Sequence, residues 1–139
     1  MLILFGGPAG AGKSTLAQAW CATRERAVHV ELDEVRQFIV SGRADPRQPG
    51  LLQSDQYALS VRACLGLATT FLAARYDVAV DDVLEPAAFE TYWRPLLPRV
   101  AWRLVVVLPT LEQVLLRSRA REKRVLEQHS RAQHAACSG

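Results

Sequence analysis

"FGGPAGAGKST" runs from Phe5 to Thr15, between the apolar run "LILF" and a stretch with helical spacing. It matches G-x-x-x-x-G-K-[ST] in full through Gly7, Gly12, Lys13 and Ser14. Such a loop must follow a strand and open a helix, and this context predicts both. Its chemistry is anion binding. The glycines let backbone N–H groups turn inward around phosphate oxygens, where side chains would collide. The helix opening at Ser14 adds the positive end of its dipole. The expected nucleotide site is therefore Gly7, Pro8, Ala9, Gly10, Ala11, Gly12, Lys13, Ser14 and Thr15. Within it Lys13 is expected to reach the β- and γ-phosphates, the Ser14 hydroxyl to ligate Mg²⁺, and Thr15 to touch the α-phosphate.

Outward from the loop, strands and helices alternate, which argues for a parallel sheet covered by helices. After the first helix, to about Thr23, "VHVEL" (Val28–Leu32) reads as a strand and Asp33–Val40 as a short helix. "GRADPRQPGLLQ" (Gly42–Gln53) reads as a loop, with its two glycines and two prolines. Tyr57, Val61, Leu65, Ala68 and Leu72 recur at helical spacing and predict a long helix from Ser54 to about Arg75. "DVAVDD" is the third strand. A helix beginning near Pro86 is expected to stop before Pro95. "RLVVVLP" is the fourth strand, expected to be buried on both faces because its apolar run is continuous. A last helix starts near Thr110 and becomes very basic.

In open α/β sheets ligands bind beyond the carboxyl ends of the strands, and three carboxylates fall there. Asp81 follows Val78-Ala79-Val80, an apolar strand ending in an acid, and is the expected second Mg²⁺ ligand. Asp82 reads as its helper or as a turn residue. Asp33 is placed to N-cap its helix and also to take a proton from a substrate hydroxyl. Arg36, one turn on, could orient Asp33 or clamp a substrate. In "RSRAREKR", Arg117, Arg121 and Arg124 share a helical face. That face fits a solvated surface, a nucleic-acid patch, or arginines that neutralise a transferring phosphoryl group. His29 reads as a strand residue, and His129 and His134 as surface residues; no two histidines have ligand spacing.

At 139 residues the chain reads as one domain, residues 1–139. Half its residues are apolar and 22% are charged, an ordinary globular composition. No apolar run reaches membrane-spanning length, and Met1–Phe5 is too short for a signal-peptide core, so a cytoplasmic protein is expected. Cys21, Cys64 and Cys137 lack metal-ligand spacing and suit a reducing compartment. The net charge of +3 does not by itself demand nucleic acid.

"GGPAGAGKSTLA", "ELDEVR", "VAVDD" and "LLRSRAREKR", in this order, resemble the P-loop kinases of the nucleoside-monophosphate-kinase-like group. The similarity is greatest to the polynucleotide-kinase-like and chloramphenicol-phosphotransferase-like branches and spans about Met1 to Leu126. It implies a three-layer α/β/α P-loop NTPase fold with Asp33 and Arg36 in the D-x-x-R substrate site. Arg117 and Arg121 would match the arginines of a lid helix, residues 110–130. Such kinases continue to a fifth strand, but here "HAACSG" follows the lid helix. The expected sheet order is thus 2-3-1-4, with a truncated C-terminus.

The function expected is an ATP- and Mg²⁺-dependent phosphotransferase acting on a hydroxyl of a small molecule or nucleotide. Its catalytic residues would be Lys13, Asp33, Arg117 and Arg121. A polynucleotide 5′-hydroxyl kinase and a nucleotide-binding protein without transfer are the alternatives. The sequence contains no asparagine, which excludes the N-K-x-D guanine-reading motif of GTPase switches.

Overall fold

The apolar run before the loop forms β1 (Leu2–Gly6), buried at all five positions. The computed structural model describes residues 1–137, except for the side chains at 114, 117, 121 and from 129 on. β2 (Ala27–Glu31), β3 (Asp77–Asp82) and β4 (Trp102–Val106) join β1 in one parallel sheet of order β2-β3-β1-β4. This is the order expected from the sequence. Among the described residues, no helix is long and apolar enough to cross a membrane.

Within Met1–Leu108, one long helix packs on each face of the sheet. Side chains alternate across a strand, so each strand contributes to both faces. Leu2, Leu4, Val30, Val78 and Val80 pack with Val61, Cys64, Leu65 and Ala68 of α3 (Leu51–Ala73) in the main core. Ile3, Phe5 and Ala79 point the other way and pack with Ala17 of α1 (Lys13–Ala22). The short α2 (Leu32–Arg36) follows β2 directly. α4 (Pro86–Ala88) runs into a π-helical turn, Phe89–Trp93, that buries Phe89 and Trp93 against the main core.

Four expectations need correction. Asp33 does not cap α2, because β2 ends a residue early. Glu31 takes the N-cap position, without a side-chain cap bond, and Asp33 falls inside the first turn. The loop after Gly42 ends sooner than read, at Gly50, since α3 starts at Leu51. The helical path does not stop before Pro95 but continues as a 3₁₀ turn, Arg94–Leu96. Proline is tolerated there because a first turn does not need its N–H. β4 is not buried on both faces: Leu104 is 37% and Val106 58% exposed. It pairs with β1 at the outside of the sheet, whereas α1 and α3 pack over β1, β2 and β3.

The segment Met1–Leu108 is one unit, and the segment from Pro109 on is another. The second is α5 (Leu111–Cys137). It opens with a capping box: the Gln113 N–H donates to Thr110 Oγ1 at 3.2 Å, and the Thr110 N–H donates to Gln113 Oε1 at 3.1 Å.

Candidate functional site

The phosphate-loop stretch leaves the carboxyl end of β1 and enters α1, as its motif requires. Gly12, just before Lys13, has φ 92° and is the N-cap of α1. A β-carbon there would meet nothing within 4 Å, so the glycine is needed for its left-handed backbone rather than for space. Gly7 has the opposite need. A β-carbon at Gly7 would lie 2.3 Å from the Val107 carbonyl oxygen, and its φ is 151°. The neighbouring Gly6 carbonyl accepts the Val107 N–H at 2.7 Å, so the loop is seated on the end of β4. These conformations fit a loop whose backbone N–H groups cradle phosphate oxygens.

Asp81 and Asp82, adjacent at the end of β3, go to opposite faces. Asp81 joins the α1 face. It pairs in register with Glu31 of β2, and its carboxylate contacts His29 Nε2. Ser14 Oγ donates to Glu31 Oε1 at 2.6 Å, and His29 Nδ1 lies 3.9 Å from that same oxygen. Ser14 is thus bonded to Glu31, which stands opposite Asp81 in the sheet, so Glu31 lies between the two expected Mg²⁺ ligands. Their hard oxygen donors suit Mg²⁺. The bond to Asp81 raises the His29 pKa above the usual histidine value, against burial, which pushes it down.

Asp82 joins the α3 face, where it is buried. Its carboxylate accepts the Tyr57 hydroxyl at 2.6 Å, and Tyr57 in turn accepts Trp93 Nε1–H at 3.0 Å. Burial raises the Asp82 pKa from its ordinary value; the Tyr57 bond opposes the rise, the Asp33 charge adds to it, and Lys13 lowers it. Burial likewise raises the Tyr57 hydroxyl.

Asp33 and Arg36 line one cleft of about 400 Å³ with Gln37, Arg43, Ala44 and Pro46. Arg43 reaches it because Gln56 of α3 fixes the loop. The Gln56 side chain accepts the Ala44 N–H and donates to the Gly42 carbonyl, both at 2.8 Å. Arg47, also in this loop, is tied instead to Asp45. Arg117 and Arg121 fall on α5, and their side chains lie outside the described residues.

Sequence reasoning missed Glu31, His29 and Tyr57. A signal for the first two was present: His29 and Glu31 are two apart on a strand, hence on one face, and Glu31 lies one residue before the strand's end as first read. Tyr57 was read only as a core position.

A search of curated proteins finds no match. Among solved structures, a chain of the Pnkp1/Rnl/Hen1 complex is similar, with a TM-score of 0.58 and 22% identity. That match covers 81% of this chain and 37% of the other, so the present chain spans little more than a third of that relative. The crystal structure of a "putative kinase" from Chloroflexus aurantiacus has a TM-score of 0.51 at 15% identity, covering 92% of this chain and 96% of the other. Identities this low establish the shared fold. The family model described as an AAA domain matches residues 2–138. With its complete phosphate-loop motif and its 2-3-1-4 parallel sheet, the chain belongs to this AAA domain family and has a P-loop kinase-like fold.

Proposed function

We propose that the protein is an ATP- and Mg²⁺-dependent phosphotransferase that moves the γ-phosphoryl group to a hydroxyl of a small molecule or nucleotide. The observation that carries this reading is the cleft of about 400 Å³ around Asp33, lined by Arg36 and Arg43 and set apart from the phosphate loop. A site for hydrolysis or binding alone needs no such second cleft.

The loop backbone from Gly7 to Gly12, with Lys13, would hold the phosphates of the donor. Ser14 and Asp81 would hold Mg²⁺, with Glu31 releasing the Ser14 hydroxyl. When bound, the metal ion neutralises charge on the β- and γ-oxygens. Arg36 and Arg43 would orient the acceptor, and Asp33 would take the proton of its hydroxyl as the new P–O bond forms. The bond from the γ-phosphorus to the bridging oxygen breaks, and ADP leaves with that electron pair. Arg117 and Arg121 would stabilise the charge developing on the transferred group.

A second reading is a polynucleotide 5′-hydroxyl kinase. It is favoured by the two arginines at the cleft, since a guanidinium binds phosphate bidentately.

The test is an ATP-consumption screen over diverse hydroxyl acceptors, oligonucleotides included, with two variants. Mg²⁺-ATP at a hundredfold excess over its dissociation constant should stabilise the wild type by about 2.7 kcal/mol. Lys13→Ala should largely remove the corresponding melting shift; equal shifts would mean the loop is not the nucleotide site. Asp33→Asn should keep that shift and lose about a hundredfold in acceptor-dependent turnover. A melting shift with no acceptor consumed would reduce the protein to a nucleotide-binding domain.

A further inference from the structure

His29 and Glu31 are polar groups on the α1 face that the proposed phosphoryl transfer does not use to hold donor, acceptor or Mg²⁺. They alternate on β2 and so share a face, about 7 Å apart along the strand. Asp81 stands opposite Glu31 in the parallel register and faces the same way. One ligating atom from each of His29, Glu31 and Asp81 lies within 4.8 Å of the other two. None of the three is exposed, and the imidazole sits between the carboxylates, with one ring nitrogen toward each.

We propose that His29, Glu31 and Asp81 form a binding site for a divalent transition-metal ion of the zinc kind, beside the phosphate loop. An imidazole nitrogen and two carboxylate oxygens are a ligand set that Zn²⁺ accepts, at about 2.0–2.2 Å from each, with a fourth position left open. Ligands so placed are about 3.3–3.6 Å apart in a tetrahedron, whereas the ligating atoms here lie within 4.8 Å of one another, so to close on an ion the imidazole has to move off the Asp81 carboxylate and Glu31 has to follow. Mg²⁺ prefers oxygen ligands and retained water, and the nitrogen donor discriminates against it. The ion would take Asp81 and draw on Glu31, the partner of Ser14. It would therefore compete with Mg²⁺ for the position assigned above. That consequence rests on the proposed function; occupancy of the site does not.

The experiment isolates His29. The chain has three histidines, so a background carrying His129→Ala, His134→Ala and Cys137→Ser leaves His29 as the only imidazole. Titration with Co²⁺ and with Zn²⁺, in the absence of nucleotide, is followed by visible ligand-field absorption and by calorimetry. One ion per chain is expected, with a nitrogen-ligand signature, and a hundredfold excess of Mg²⁺ should not displace it. His29→Ala and, as a second variant, Glu31→Gln should each weaken binding by at least about tenfold, as even the loss of an outer-shell partner does in other metal sites. Lys13→Ala should leave metal affinity unchanged while losing the ATP shift, which separates this site from the nucleotide reading. No binding in the background protein would overturn the proposal and leave His29 as a charge clamp between two carboxylates. So would unchanged affinity and spectrum in both ligand variants.

Discussion

Asp81 and Asp82 share a strand end and are equally buried, but they face opposite sides of the sheet. Asp81 faces α1, in a polar cluster with His29 and Glu31, and Glu31 reaches the Ser14 hydroxyl of the phosphate loop. Asp82 faces α3, where it accepts from the Val83 N–H and from the Tyr57 hydroxyl, itself braced by Trp93. The apolar cores behind them differ in the same sense. The α1 side has a small cluster around Ile3, Phe5, Ala17 and Ala79, whereas the α3 side holds the larger core, including Trp93. Side-chain alternation on β3 thus puts the proposed ion ligands on the side with the small apolar cluster and the buried acid–tyrosine–tryptophan chain on the side with the large one. Two adjacent acids can serve a ligand and a core because successive side chains of a strand are on opposite faces.

The comparison breaks if the two sides prove equally costly to disturb. Trp93 is 1% exposed, so Trp93→Ala should lose about 3–5 kcal/mol in a urea-unfolding experiment. Trp20, on α1 and only partly buried, should cost clearly less. Similar losses at both positions would mean that stability is not concentrated on the α3 side.

Tyr57→Phe tests the bracing of Asp82 and should cost about 1–3 kcal/mol at pH 7, because two buried polar groups lose a partner. Its pH dependence has a definite sign. With the Asp82 pKa raised in the folded state, ionised Asp82 takes stability away as pH rises through that value. The Tyr57 hydroxyl favours the charged form and limits this loss. The variant's penalty should therefore be full at neutral pH and shrink as acid protonates Asp82. A penalty independent of pH would show that the hydroxyl acts through packing alone.

The smallest effect is expected at the other end of β3. Asp77 accepts from the Met1 amine at 2.7 Å and from Arg24 at 2.8 Å, and these bonds, the Met1 bond first, lower its pKa. Stability from a lowered carboxyl is present above its unfolded value and lost as pH falls through the folded one. Asp77→Asn should cost about 0.2–1 kcal/mol at neutral pH, less in high salt, and nothing in acid. A loss as large as that of Tyr57→Phe would place Asp77 with the buried acid instead.

The phosphate loop was legible because its motif is contiguous and its expected work is done by backbone that local glycines shape. β3 and its terminal acids were legible because an apolar run ending in Asp-Asp needs no partner to be recognised. The Asp33 cap was misread by two residues, where a strand running straight into α2 moved the N-cap to Glu31. The burial of β4 was misread because an apolar run does not tell that its strand ends the sheet. Arg43 owes its place in the cleft to Gln56, twelve residues from Ala44 and fourteen from Gly42, a link that only the folded chain makes. The opposite fates of Asp81 and Asp82 followed from strand period alone, once the register with β2 was known.

Gly7 carries an inherited constraint. What a side chain there would strike is the Val107 carbonyl, a backbone atom that no substitution at 107 removes. Sequence drift therefore cannot reshape the start of the loop by itself. A change of geometry at Gly7 has to be matched by a change in the path of the chain leaving β4, so the two segments, a hundred residues apart, are bound to vary as a pair.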